Sequence, residues 1–312
     1  MEGLGFGCVR LTSNYTKRQA LRNLEVAFEN GITHFDVAPL YGFGLAEGIL
    51  GDFAKNKRGQ ITITTKFGIA PNSMVLKNLF LQNVIRSAYK MVKESGLKKS
   101  TANLAATTKT ATNFSVANGE QSIQTSLREL KTDYIDFLLL HEATIEEANR
   151  AELLSFLEKK KTAGVIKEYG IASFSNAIVS DYSSLNKAHT ILQTDNSFPF
   201  KLAPGLLKGD QIKQRFYFSP FSHLNKVQRL LNADPAFAKS ISAEIGFDVN
   251  TKLTDLFLMH QLHSDPSGIT LFTSSKNEKI KATVQSWNRV KSLSPEAFQP
   301  LAKVQQMIGS RL

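Results

Sequence analysis

Two hydrophobic periodicities alternate along the chain. Short apolar runs, the mark of strands buried on both faces, are each followed by a stretch whose apolar residues recur every three or four positions, as on one face of a helix. The runs predict strands over residues 3–9, 32–37, 61–67, 134–140, 168–173, 190–194, 215–218 and 269–273. The helical spacing predicts one helix opening near Thr16 and others over 45–55, 120–130, 146–162, 176–186, 226–244, 252–263, 278–290 and 295–308. In the first helix Ala20, Leu24, Ala27 and Phe28 carry the apolar stripe, and Gly31 supplies the stop. Residues 68–117 break this rhythm, with an amphipathic stretch at 79–92 and a Ser/Thr/Ala-rich one at 100–115. They read as a helix plus an extended loop inserted after strand three.

Eight strands, each followed by helix, is the count of a (β/α)8 TIM barrel of the α/β class. Residues 1–312 are therefore expected to form a single such barrel, with the long insertion at about 68–117. An open doubly wound sheet would show a glycine-rich phosphate loop after strand one. Gly5-Phe6-Gly7-Cys8-Val9-Arg10 lacks the third glycine of that pattern.

Composition narrows the class without changing it. A hydrophobic content of 42% is ordinary for a globular protein. No apolar run reaches the roughly 18 residues of a membrane span. The opening Met1-Glu2-Gly3-Leu4 lacks the basic-then-apolar pattern of a secretory signal, and the one cysteine, Cys8, has no internal disulfide partner. A cytoplasmic location is expected. The formal net charge is +11, but the basic residues are spread along the chain, with short clusters such as Lys98-Lys99 and Lys159-Lys160-Lys161. Such a surface draws phosphorylated small molecules rather than nucleic acid, for which no zinc-finger or RNA-binding signature is present. No membrane partner is expected either.

The chemistry is concentrated where strands end. Phe35-Asp36-Val37-Ala38-Pro39-Leu40-Tyr41-Gly42 presents an Asp and a Tyr where strand two opens into a loop. Strand three ends on Lys66 and strand four runs into His141. A tyrosine hydroxyl, with a reference pKa of about 10, becomes a usable proton donor only beside a cation or a buried charge network. Taken singly, Asp36 reads as a turn cap, Tyr41 as a core aromatic, Lys66 as a strand end and His141 as a satisfied buried imidazole. On successive strand ends of a barrel, where catalytic groups converge, the four together outline a proton-transfer site. A metal-dependent hydrolase would need paired histidines on strand one, and residues 5–11 contain none, so no metal is expected.

These residues resemble the aldo-keto reductase family, in the form of its sugar-dehydrogenase-like branch. Leu4-Gly5-Phe6-Gly7 is similar to the family's first strand, and Asp36 through Glu47 to its Asp-Tyr signature. The resemblance implies hydride transfer between a nicotinamide and a small aldehyde, ketone, aldose or alcohol. Tyr41 would be the general acid/base, Lys66 would favour its phenolate, Asp36 would hold Lys66, and His141 would orient the carbonyl oxygen. It also implies a small-molecule partner. A second reading resembles the cofactor-binding β-subunits of ion channels, regulatory modules with low turnover.

For the cofactor, the resemblance points to Gly7, Cys8, Val9 and Asp36 near the first strands. Gly170-Ile171-Ala172-Ser173-Phe174 is similar to the family's Gly-Val-Ser-Asn-Phe, so Ser173 replaces the carboxamide-binding Asn, and Gln193 would be the second carboxamide ligand. Phe218-Ser219-Pro220-Phe221 resembles Tyr-Ser-Pro-Leu, with Phe218 stacking on the nicotinamide. Ser274 and Ser275 would cradle phosphate at a helix start, Lys279 replaces the family's Arg, and Thr283 stands at an adenine-binding position. NADP is expected ahead of NAD. Many family members begin with a β-hairpin, which is not apparent here. Substrate walls are expected from the loops at 68–117, 142–145 and 198–208, the last with an apolar Phe198-Pro199-Phe200.

Overall fold

The computed structural model describes residues 3–13, 16–69, 112–207 and 210–312. Eight parallel strands close into a barrel in sequence order: β1 Gly3–Gly7, β2 His34–Asp36, β3 Thr62–Phe67, β4 Ile135–His141, β5 Ile166–Ala172, β6 Ile191–Asp195, β7 Gln214–Phe218 and β8 Ile269–Phe272. Closure is made by β1 against β8, with Gly3 opposite Ile269 and Phe6 opposite Phe272. The fold is a (β/α)8 TIM barrel. Among the described residues no helix is long and apolar enough to cross a membrane.

The described helices are α1 Lys17–Glu29, α2 Ala46–Ala54, α3 Val116–Leu130, α4 Ile145–Ala148, α5 Ala151–Thr162, α6 Ser175–Ile178, α7 Leu224–Ala233, α8 Pro235–Ile245, α9 Leu253–Ser264, α10 Asn277–Lys291 and α11 Leu301–Gly309. They depart from the periodicity at several points. The expected helix over 146–162 is two: a capping box between Thr144 and Glu147 starts α4, and the chain re-enters helix at Ala151. The stretch expected over 226–244 breaks at Asp234, whose carboxylate caps α8 by accepting from Phe237 N at 2.9 Å, with Pro235 in the first turn. Of 176–186, only the single turn α6 and a 3-10 turn at Tyr182–Ser184 are helical. The last expected helix, 295–308, is likewise split, a 3-10 turn at Pro295–Phe298 preceding α11. Strand one stops at Gly7, two residues early, and a 3-10 turn covers Cys8–Ser13.

Alternation along each strand separates two cores. Phe6, Phe35, Ile63, Leu138, Leu140, Ile171 and Leu192 face outward, where they pack with residues of the helices. Leu139, Ala172, Ile191, Phe216, Ile269 and Leu271 fill the barrel interior. At Gly170 a Cβ would lie 1.8 Å from Ile191 O, so only glycine lets β5 and β6 approach this closely.

Most of the expected insertion, residues 70–111 including the amphipathic 79–92, lies outside the described residues. Its two flanks meet at the top of β3. Asn113 N donates to Gly68 O at 2.7 Å, and Phe114 packs edge-on against Phe67 at 6.0 Å. Gly68, at φ +114, leaves no room for a side chain against Phe114.

Candidate active site

The inward-facing positions of the strands end together at the C-terminal mouth. Gly7 of β1, Asp36 of β2, Lys66 of β3, His141 of β4, Ala172 of β5, Gln193 of β6 and Phe218 of β7 all line one cleft of about 670 Å³. Because side chains alternate with period two, a one-residue slip in any strand would turn its contribution away from the cleft. Tyr41 enters from the 3-10 turn Tyr41–Gly44 that follows β2.

Lys66 is the hub. Its Nζ, fully buried, donates to Asp36 Oδ1 at 2.7 Å, to Val37 O at 3.0 Å and to Tyr41 Oη at 3.5 Å. Burial alone would depress the lysine's pKa, but the Asp36 carboxylate and Tyr41 together hold it above the usual value, so it stays an ammonium. Burial pushes the Tyr41 phenol up, and Lys66 pulls it only part of the way back. The expected phenolate-favouring effect is therefore present and outweighed by desolvation: at rest Tyr41 carries its proton. His141 stands edge-on to Tyr41 with ring centroids 6.2 Å apart. Burial first, then the Lys66 charge, pushes its pKa down to about 3, so the imidazole is neutral, and its buried Nδ1 has no partner among the described residues.

Gln193 is tied into this network in a way the sequence did not indicate. Its Nε2 donates to Asp36 Oδ1 at 2.7 Å, so one carboxylate oxygen accepts from both Lys66 and Gln193. The carboxamide oxygen of Gln193 remains for a ligand. Ser173 donates its hydroxyl to Ala143 O at 2.9 Å, keeping only acceptor capacity for the cleft.

A profile of the aldo/keto reductase family matches residues 3–198. The chain belongs to the aldo/keto reductase family. Among its relatives, the uncharacterized oxidoreductase YqkF of Bacillus subtilis is 30% identical over 195 residues, covering 62% of this chain and 52% of that protein. A D-threo-aldose 1-dehydrogenase of a Pseudomonas species is 30% identical over 188 residues, 54% of this chain and 49% of that one. The chain thus spans about half the length of the curated relatives it matches. The fold is similar to that of an aldo-keto reductase of Bacillus halodurans in its holo form (TM-score 0.69, 23% identity, 96% of this chain and 91% of that one). It is also similar to a Klebsiella pneumoniae aldo-keto reductase in complex with NADPH (TM-score 0.63, 17% identity, 97% and 90%).

The far end of this cleft differs in detail from expectation. Val9, Phe218, Ser219, Pro220, Phe221 and Lys279 line it as expected. Cys8 does not: it is fully buried behind the strand, with burial pushing its thiol pKa well up. Ser274 and Ser275 also stay off the wall. Ser274 Oγ closes a tight turn with Lys276, accepting from its N at 3.1 Å. Thr283 sits a turn further along α10 with its hydroxyl donated to Lys279 O at 2.8 Å. Thr273 takes their place on the wall, with a buried Oγ1 that has no partner among the described residues. Glu142 lines the cleft from the expected loop at 142–145, and Arg10, which was not foreseen, lines it too. Glu142 carries a signal visible only in the backbone, a left-handed φ of +59 in a non-glycine residue beside His141. None of the described residues of the expected wall at 198–208 lines the cleft: Phe198 is core, packed on Phe257 at 4.9 Å, and Phe200 lies in a neighbouring pocket.

Proposed function

We propose that the protein is an NADP-preferring oxidoreductase that interconverts a small aldehyde, ketone or aldose with its alcohol or oxidised form, with Tyr41 as the general acid/base. The observation that carries this reading is the Lys66 hub: one buried ammonium within hydrogen-bond reach of both a carboxylate and a phenol that retains its proton. A neutral phenol in a desolvated mouth is the protonation state a carbonyl reduction consumes.

The residues present suit a dinucleotide. Arg10 and Lys279 line the cleft without a carboxylate partner among the described residues, and the unspent Thr273 hydroxyl lies on the same wall. Lys279 and Arg10 would hold phosphate, the Phe218 ring would support the nicotinamide, and Gln193 and Ser173 would accept from its carboxamide. When bound, the cofactor supplies or takes the hydride. The chain's own groups manage the proton. Tyr41 gives its proton to the developing alkoxide, Lys66 stabilises the phenolate left behind, and Asp36, held by Gln193, keeps Lys66 charged and in place. His141, neutral across the working pH range, offers a hydrogen bond without competing for the proton. For NADP over NAD the support is the Lys279 ammonium on the cleft wall and the likeness to a reductase described with NADPH. We read the chain as one barrel domain in the cytoplasm, in keeping with its single buried thiol.

Mixing the protein with NADPH and a panel of aldehydes, ketones and aldoses, and following loss of the reduced nicotinamide, tests the reading directly. Turnover of at least one carbonyl with NADPH is expected, more slowly with NADH. No oxidation of either cofactor across the panel would overturn it.

A further inference from the structure

Beside the catalytic cleft, on the outer side of the β6 end, lies a second pocket of about 390 Å³, at the small end of the ~300–1,000 Å³ typical of ligand sites. The two share Phe174, Ser219 and Ser222, so the pocket opens off the cleft rather than elsewhere on the barrel. Two phenylalanines that would normally be buried stand at it in the open, Phe174 at 48% and Phe200 at 52% exposure. Phe174 leans edge-on against Phe218, and Phe200 against His223 at 5.0 Å.

Around these rings the polar groups are unspent. The Asn176 amide and Lys201 ammonium make no hydrogen bond among the described residues, and Asp195 uses one carboxylate oxygen to accept from Ser175 N at 2.6 Å. Asn196 is the second, independent sign of a ligand. It is 2% exposed, it lines the pocket, and its Nδ2 has no partner among the described residues. Its orientation is not free. Asn196 Oδ1 accepts from His260 Nε2 at 2.7 Å, and His260 Nδ1 accepts from Gln305 at 2.6 Å. A neutral His260 held from both sides therefore fixes which end of the Asn196 amide is left over.

We propose that this annex binds a hydroxylated ring, a sugar unit, carried by the substrate on the side away from its carbonyl. The inference rests on the carbonyl-reductase reading above and goes beyond it. Exposed aromatic faces take the C–H faces of such a ring, while its hydroxyls satisfy amide, ammonium and carboxylate together. A purely apolar group of the same size would cover those polar groups and leave them unpaired.

Three para-substituted benzaldehydes with one reactive group separate the cases: the methoxy compound, the cyclohexyl ether and the glucoside. With NADPH, kcat/KM for the glucoside should exceed the other two by about tenfold, the worth of one well-made hydrogen bond. Phe200→Ala and Asn176→Ala should each remove that advantage and leave the methoxy compound unchanged. A glucoside no better than the cyclohexyl ether, or an advantage that survives Phe200→Ala, would overturn the annex. Saturation-transfer NMR of the glucoside provides a readout independent of turnover: sugar-proton signals with the wild type, lost in Phe200→Ala, are expected, and their absence from the wild type overturns it. If none of the aldehydes is reduced, the reductase reading fails while the NMR result still decides the annex.

Discussion

The barrel interior around His34 and the barrel mouth around His141 hold two imidazoles, one buried and one partly buried, with the same electrostatic signature. Burial pushes both pKa values down to about 3, with Lys66 adding to each. Their partners differ. His34 is satisfied: Nδ1 meets Thr62 Oγ1 at 3.0 Å, Nε2 meets Thr64 Oγ1 at 3.4 Å, and the ring stacks on Phe216 at 4.4 Å. His141 keeps a buried nitrogen without a partner among the described residues, and its ring lines the cleft. A perturbed pKa alone therefore does not distinguish a functional histidine from a packing one. What separates the two rings is the unpartnered nitrogen on a residue of the cleft lining, and the same contrast separates Thr273, whose hydroxyl has no partner among the described residues, from Ser274 and Thr283.

The largest effects are expected at the mouth. Tyr41→Phe removes only the hydroxyl that Lys66 reaches, so turnover should fall by about 10²–10⁴-fold with cofactor affinity nearly unchanged. Steady-state rates beside a cofactor titration check it, and near wild-type kcat would end Tyr41's assignment. Lys66→Met should act on two readouts. Leaving the buried Asp36 without its cation should cost about 3–5 kcal/mol of stability, measured by denaturant unfolding. Because Lys66 pulls the Tyr41 pKa down, its removal should also move the rising limb of the alcohol-oxidation pH profile, where Tyr41 must lose its proton to act as base, to higher pH. An unmoved limb with high activity would make Lys66 a bystander.

At the phosphate end, Lys279→Ala should weaken NADP by about one to two decades, the worth of a charge-assisted bond of roughly 1.5–3 kcal/mol, and leave NAD almost unaffected. Fluorescence titration decides it, since equal losses would mean that Lys279 serves the fold. The smallest effect on chemistry should come from the interior. His34→Leu removes two hydrogen bonds and should cost about 1–3 kcal/mol while the folded protein keeps its proposed turnover. It should also change the acid limb of stability. A histidine whose pKa falls from 6.5 unfolded to about 3 folded leaves the unfolded state holding more protons between those values. Its contribution is complete above about pH 6.5 and declines toward pH 3 by about 1.4 kcal/mol per pH unit. Unfolding midpoints across that range should show a shallower decline in His34→Leu, and an identical slope would mean that His34 is charged in the folded protein.

Much of this architecture is legible in the sequence. Strand period is local, so the ends of β2, β3 and β4 can be read from their apolar runs, and the structure brings Asp36, Tyr41, Lys66 and His141 into one cleft. Helix ends are less legible. The breaks at Asn149-Arg150 and at Asp234-Pro235 interrupt faces whose apolar residues continue on both sides, and at the second it is the Asp234 cap that divides them. The phosphate end departs from expectation for a similar reason. Ser274 and Thr283 carry hydroxyls at the expected positions, but both are consumed within their own turns, and a buried hydroxyl without a partner among the described residues belongs to Thr273 instead.

By itself the sequence determined the alternation of strand and helix, the barrel that alternation closes into, and which side chains stand at the strand ends, because each follows from the preferences of neighbouring residues. Only the tertiary structure decided that Gln193 secures Asp36 across 157 positions, that burial outweighs Lys66 in keeping Tyr41 protonated, and that Phe200 leaves the cleft wall for a pocket of its own. Those outcomes depend on distances between residues far apart in the chain and on how completely water is excluded around them, and neither quantity is carried by any local pattern.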